Sequence, residues 1–191
     1  MSRPSRWAPL LLWAASLLAG APGAAEEPVR PRLDPVRAEA RGHDVFLTFR
    51  LKGALNPELA AKIEAGLETA IRYEIRLYRH EAHWLWDNLI DRRRYRVAVL
   101  YDAVTREYVL VETMDGRPLQ RSTTRDFAEA SRRLLSAENL LVFHVGDDKP
   151  RTNLYLEARA TFDSGYLFTI IPVDSRTDWA KSNRFEIKKS P

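Results

Sequence analysis

The segment His80-Glu81-Ala82-His83-Trp84-Leu85-Trp86-Asp87 holds two imidazoles and two carboxylates within eight positions. Coiled as a helix, it would place His80 and His83 three residues apart on one face, with Asp87 one turn on and Asp91 another. That set could ligate a metal, and His80, His83 and Asp87 are the candidate ligands. It is not the zinc-protease motif, which needs two residues between the Glu and the second His. The spacing also matches no common structural or catalytic zinc centre. The competing reading is a strand that runs out into a solvated loop at His80 and Glu81, with Trp84, Leu85 and Trp86 anchoring the loop on the core. That reading is favoured, and no cofactor is expected.

Arg92-Arg93-Arg94-x-Arg96 is the densest basic cluster in the chain. Beside Trp84 and Trp86 it suits a membrane or partner surface, with the aromatics at headgroup level and Arg92, Arg93 and Arg94 on anionic lipid. On a strand, Arg94 and Arg96 share one face. The plainer reading is a solvated strand face paired with Glu74 and Glu107, or an edge strand charged against aggregation.

Other chemistries lack their residues. The chain has no cysteine, which removes disulfides, zinc thiolates and thiol nucleophiles together. Ser164-Gly165 has no preceding Gly-x to make a nucleophile elbow, and the 8 glycines are too scattered to cradle a phosphate. Carboxylates for glycosidase work meet only in a fold. Glu74, Asp102 and Glu157 are the best placed, each with a structural role as the expectation; Asp102 suits the first position of a turn.

Several segments must position these residues. Arg3 and Arg6 precede an uncharged run from Trp7 to Ala19, and Gly23 with Ala25 meet the small-x-small rule before Glu26. Residues 1–25 are therefore read as a secretory signal peptide, cleaved after Ala25, and the protein as exported and periplasmic. The alternative is an uncleaved anchor in the inner membrane, but the run is shorter than the roughly 20 apolar residues of a spanning helix. Removing Arg3 and Arg6 from the 30 basic residues leaves 28 against 26 acids, a balance that suggests no nucleic-acid partner. Residues 26–35 carry three prolines (Pro28, Pro31, Pro35) and read as an extended tether, so that residues 36–191 form the domain.

Within that domain Val45, Leu47, Phe49 and Leu51 alternate with polar residues, which predicts a half-buried strand paired with Val36 to Gly42. Asn56-Pro57-Glu58 starts a helix, with Leu59, Ile63 and Leu67 at four-residue spacing up to about Gly66. Period two returns in Ile71, Tyr73, Ile75 and Leu77, again from Tyr95 to Tyr101, and from Tyr108 to Thr113. Thr124 or Asp126 can cap a second helix ending about Leu135. Leu140 to Val145 and Asn153 to Phe162 give further strands. The apolar run from Tyr166 to Ile171 is either a core strand buried on both faces, the favoured reading, or an exposed patch that docks a partner, and Arg184 to Lys188 is read as a last edge strand. Trp179 and Phe185 are expected to close the core at its C-terminal end. Consecutive strands with two helical inserts define the expected class: α+β, mostly antiparallel β-sheet or sandwich of about eight strands, with two short helices packed on it.

The chain resembles the bacterial exported family known as domain of unknown function 4390. The resemblance rests on Leu51-Lys52-Gly53, the helix from Pro57 to Leu67 with Gly66, and the strand Tyr73-Glu74-Ile75-Arg76-Leu77-Tyr78-Arg79. It continues in Tyr101-Asp102-x-x-Thr105-x-x-Tyr108 and in Trp179 followed by Ser182 and Phe185. It implies no activity and no catalytic residue. Encoding near envelope sensor kinases in some genomes, which the resemblance also implies, favours an accessory role.

Three functions follow as expectations. The first is a non-catalytic exported module that binds an envelope protein or a small apolar ligand, accessory to an envelope or signalling system. The second is a periplasmic hydrolase whose acids or histidines assemble in the fold. The third is a peripheral membrane-surface protein using the segment from Trp84 to Arg96.

Overall fold

In the computed structural model the described residues are 30–82, 86–162 and 176–188. The signal peptide, His83, Trp84, Ser164-Gly165 and the apolar run from Tyr166 to Ile171 lie outside them.

The alternation at Val45, Leu47, Phe49 and Leu51 forms β2 (Asp44–Lys52), with all four side chains buried. A turn at Gly42 and His43 returns it antiparallel to β1 (Arg32–Arg41). This strand corrects the expected tether: it begins inside residues 26–35, because Leu33 is apolar enough to bury and pairs with Leu51. The cis Asp34-Pro35 peptide occupies the register shift between Leu33 and Val36, where a proline interrupts no ladder bond.

Asn56 caps α1 (Pro57–Glu64) by accepting from the Leu59 N–H at 2.8 Å, with Pro57 in the first turn. After Gly66, at φ +72°, come β3 (Thr69–Arg79) and β4 (Asn88–Asp102). Next are β5 (Glu107–Met114), β6 (Arg117–Thr124), α2 (Phe127–Leu135) capped by Asp126, β7 (Ser136–His144), β8 (Leu154–Phe162) and β9 (Ala180–Lys181). The strands make two antiparallel sheets: β1-β2-β7, and β6-β5-β4-β3-β8-β9. This is the α+β, mostly-sheet class expected, with nine strands and two helices among the described residues.

Two elements depart from expectation. β6 (Arg-Pro-Leu-Gln-Arg-Ser-Thr-Thr) has no counterpart among the expected strands, since as an almost wholly exposed edge strand it has no apolar face to alternate. The final edge strand lies at Ala180–Lys181 rather than Arg184 to Lys188, where only Phe185 bridges to Leu154.

The inward faces of the two sheets share one core. Phe49 of β2 meets Tyr73 of β3 with ring centroids 4.5 Å apart, and Tyr95 of β4 edge-on at 6.5 Å. A buried phenol needs a partner. Tyr73 donates to the Leu134 carbonyl at 2.8 Å, fixing the end of α2 to the core, and burial pushes this hydroxyl well above its ordinary pKa. At one corner Asn183 joins the sheets, its side-chain amide bonding both the N–H and the carbonyl of Ala38 at 2.9 and 3.0 Å.

Candidate functional site

Because Ile71, Tyr73, Ile75 and Leu77 point into the core, Arg72, Glu74, Arg76 and Tyr78 must point out. The neighbouring strands obey the same parity, so cross-strand register sets rows on the outer face of the six-stranded sheet. Arg92 of β4, Arg76 of β3 and Glu157 of β8 make one row; Arg94, Glu74 and Arg159 the next; Arg96, Arg72 and Thr161 the third. Six arginines on three adjacent strands thus share a face with two glutamates.

The acids are committed locally. Glu74 accepts from Arg76 at 2.8 Å and from Arg159 at 2.7 Å. Partial burial pushes the Glu74 carboxyl up, but the bonds from Arg159 and Arg76 outweigh it and hold it below the usual carboxylate range. Glu157 meets Lys181 at 3.6 Å. Trp179 lies over both guanidinium groups, 4.1 Å from that of Arg76 and 4.5 Å from that of Arg159. It therefore sits on the outer face of the sheet rather than closing the core as expected, whereas Phe185 is buried. Arg96 pairs with Glu68 at 2.5 Å. Arg92 and Arg94 are exposed, and neither side chain has an ion pair among the described residues. The expected pairing of this cluster with Glu74 and Glu107 is not the one formed: Glu74 turns towards β8, and Glu107 meets Arg125 at 3.2 Å.

Alternation also divides the basic cluster. Arg93 leaves from the opposite face, where it bonds Asp115 at 3.0 Å and lies 5.8 Å from the Phe143 ring. Arg92 and Arg94 therefore share a face with Arg76 and Arg72 of the next strand. The density of arginine in the sequence shows the cluster, but the β3 partners emerge only from the register.

The histidine segment is not helical at its described ends: β3 stops at Arg79 and β4 begins at Asn88. His80 and Asp87 nevertheless come together, with Nδ1 of His80 3.0 Å from Oδ1 of Asp87. That oxygen also accepts from the Glu81 N–H at 3.3 Å, while the other takes the Tyr155 hydroxyl at 2.6 Å. The Tyr155 bond, aided by those from Glu81 and His80, holds the Asp87 carboxyl below its usual range. Burial, then Asp87, pushes the Tyr155 hydroxyl far up. Tyr155 stacks on Tyr78 at 5.4 Å, so the network borders the arginine rows. With both oxygens engaged, Asp87 orients His80 rather than standing open as a ligand. Among the described residues no group of three or more His, Asp or Glu is placed to hold a metal. Asp91, the further acid of the sequence reading, bonds Lys149 at 3.2 Å.

The third carboxylate candidate, Asp102, accepts from the Val104 N–H at 2.8 Å and closes the β4–β5 turn. Each of Glu74, Asp102 and Glu157 therefore has a structural partner. At the His80 end of the outer face Leu89 lies opposite Tyr78 and is exposed, and Trp86 in the preceding loop is 82% exposed. Among the described residues no helix is long and apolar enough to cross a membrane.

Fold and face together define a two-sheet α+β domain with a cationic sheet surface. The chain belongs to the family described as Domain of unknown function (DUF4390), whose model matches residues 30–171. That span covers both sheets as far as β8 and stops short of Trp179 and Asn183. No curated protein and no solved structure matches the chain.

Proposed function

We propose that this protein is an exported, non-catalytic module, accessory to an envelope or signalling system, that docks an anionic partner on the outer face of its six-stranded sheet. The observation that carries the reading is the excess of arginine over acid across β4, β3 and β8, with Arg92 and Arg94 exposed beyond it. Potentials over such a face steer and orient oppositely charged surfaces. Export rests on Arg3, Arg6 and the apolar run from Trp7 to Ala19, and a periplasmic location follows from it. A binding role is favoured over hydrolysis because Glu74, Asp102 and Glu157 serve ion pairs or a turn.

The test is affinity purification of the chain from its own periplasm, with intact-mass and bound-ligand analysis, beside Arg92→Glu/Arg94→Glu. The expected result is an acidic companion, protein or lipid, recovered with the wild type and lost from the variant. A companion retained by the variant, or turnover that vanishes in His80→Ala, would overturn the reading.

A further inference from the structure

We infer that the anionic partner of this face is a phospholipid surface, met by Arg92 and Arg94 with Trp86 and Leu89 entering the headgroup layer. The inference rests on the docking face proposed above and names what covers it.

Three observations favour lipid over a folded protein. Charge is the first: on this face Arg92 and Arg94 are exposed, have no ion pair among the described residues, and stand two positions apart on β4. Basic residues near an anionic leaflet each add about 1 kcal/mol of attraction, close to fivefold in affinity. Placement of apolar surface is the second. Leu89 is 46% exposed beside Tyr78, and Trp86 is 82% exposed three positions before it. Large apolar side chains at one end of a cationic face, with a tryptophan among them, match the aromatic belt and positive charge found where proteins meet bilayers. Shape is the third. The rows lie on a sheet, and the cavities along the β1 edge and under α2 are lined by other residues, Phe46, Thr48 and Asn139 in one and Tyr95, Glu112 and Arg133 in the other. Cations carried on the open face of a sheet, rather than inside a cleft, can meet a layer of phosphates.

The experiment is flotation of the chain purified from periplasmic extract with vesicles of phosphatidylcholine alone, or with about one-third phosphatidylglycerol. Wild type is expected to float with the anionic vesicles only, and to be released by raising the salt. Arg92→Gln/Arg94→Gln should bind roughly 25-fold more weakly, about fivefold for each arginine. Trp86→Ala should lose the blue shift of tryptophan emission on binding. Arg37→Gln/Arg50→Gln, which removes the same charge from the outer face of the three-stranded sheet, should float as wild type. Equal flotation of the Arg92/Arg94 and Arg37/Arg50 variants, or equal binding to neutral vesicles, would overturn the lipid inference. If no vesicle binds while Arg92→Glu/Arg94→Glu still loses an acidic protein in the purification above, the lipid inference falls and the docking face stands. If neither assay responds to these arginines, both fall.

Discussion

Asn183 pairs with Ala38 as a strand would, donating from its amide nitrogen to the Ala38 carbonyl and accepting at its amide oxygen from the Ala38 N–H. One side chain thus satisfies both backbone groups of a residue in the edge strand β1 and ties it to the chain beyond β9. Asn183→Ala should cost about 1–3 kcal/mol, since it leaves both groups without their partner. Asn183→Asp keeps the acceptor but sets a carboxylate against the Ala38 carbonyl, and should be no better. Urea midpoints check this; a change below about 0.3 kcal/mol would show that water replaces the amide at no cost.

Tyr155→Phe removes the hydroxyl that Asp87 holds at 2.6 Å. Losing a donor to the ionised carboxylate should raise the Asp87 pKa towards its ordinary value. An NMR titration of the Asp87 carboxyl reads this directly, and an unmoved pKa would assign its depression to Glu81 and His80 instead.

Acid should destabilise the domain through Glu74. Its folded pKa lies below the unfolded one, so its contribution is fully present above the ordinary value of 4.5 and is lost as pH falls through the folded pKa. Thermal melts from pH 7 downward should therefore hold level at first and decline below about pH 4.5. Glu74→Gln should start lower at neutral pH and decline less steeply. A parallel decline in the two proteins would remove Glu74 from the account.

Gly66→Ala should destabilise by about 1–2 kcal/mol. The residue sits at φ +72°, and a Cβ there would lie 3.2 Å from the Tyr101 carbonyl oxygen, a backbone atom that cannot swing aside. Thermal denaturation at neutral pH is the measurement, and an unchanged midpoint would mean that the α1–β3 turn relaxes to accommodate the methyl.

Where one face of an element is buried, the element is legible in its residue types alone. The alternation in β2 and β3 and the Asn56-Pro57 helix start are of this kind, because burial and capping act on each residue locally. β6 leaves no such mark, because exposure on both sides removes the pattern. The first half of β4 is equally silent, since Leu89, Ile90 and Asp91 straddle the register shift opposite Leu77 and Tyr78. The candidate site divides in the same way. Arg92 and Arg94 stand out as a run, whereas their alignment with Arg76, Arg72 and Arg159 depends on which strands become neighbours. His80 and Asp87 share one short segment and do meet, but Tyr155, the group that fixes Asp87, lies 68 positions away and carries no local signal.

The order of pairing also governs how the chain reaches this state. β2 finds its second neighbour in β7, with Asp44 opposite His144, and β3 finds β8, with Ile71 opposite Phe162. Neither sheet can be completed until well over half of the polypeptide has been made, and contacts so distant along the chain make folding slow. If the protein is exported as proposed above, that delay would be an advantage: the chain would remain threadable during secretion, and the arginine rows would come into register only on the far side.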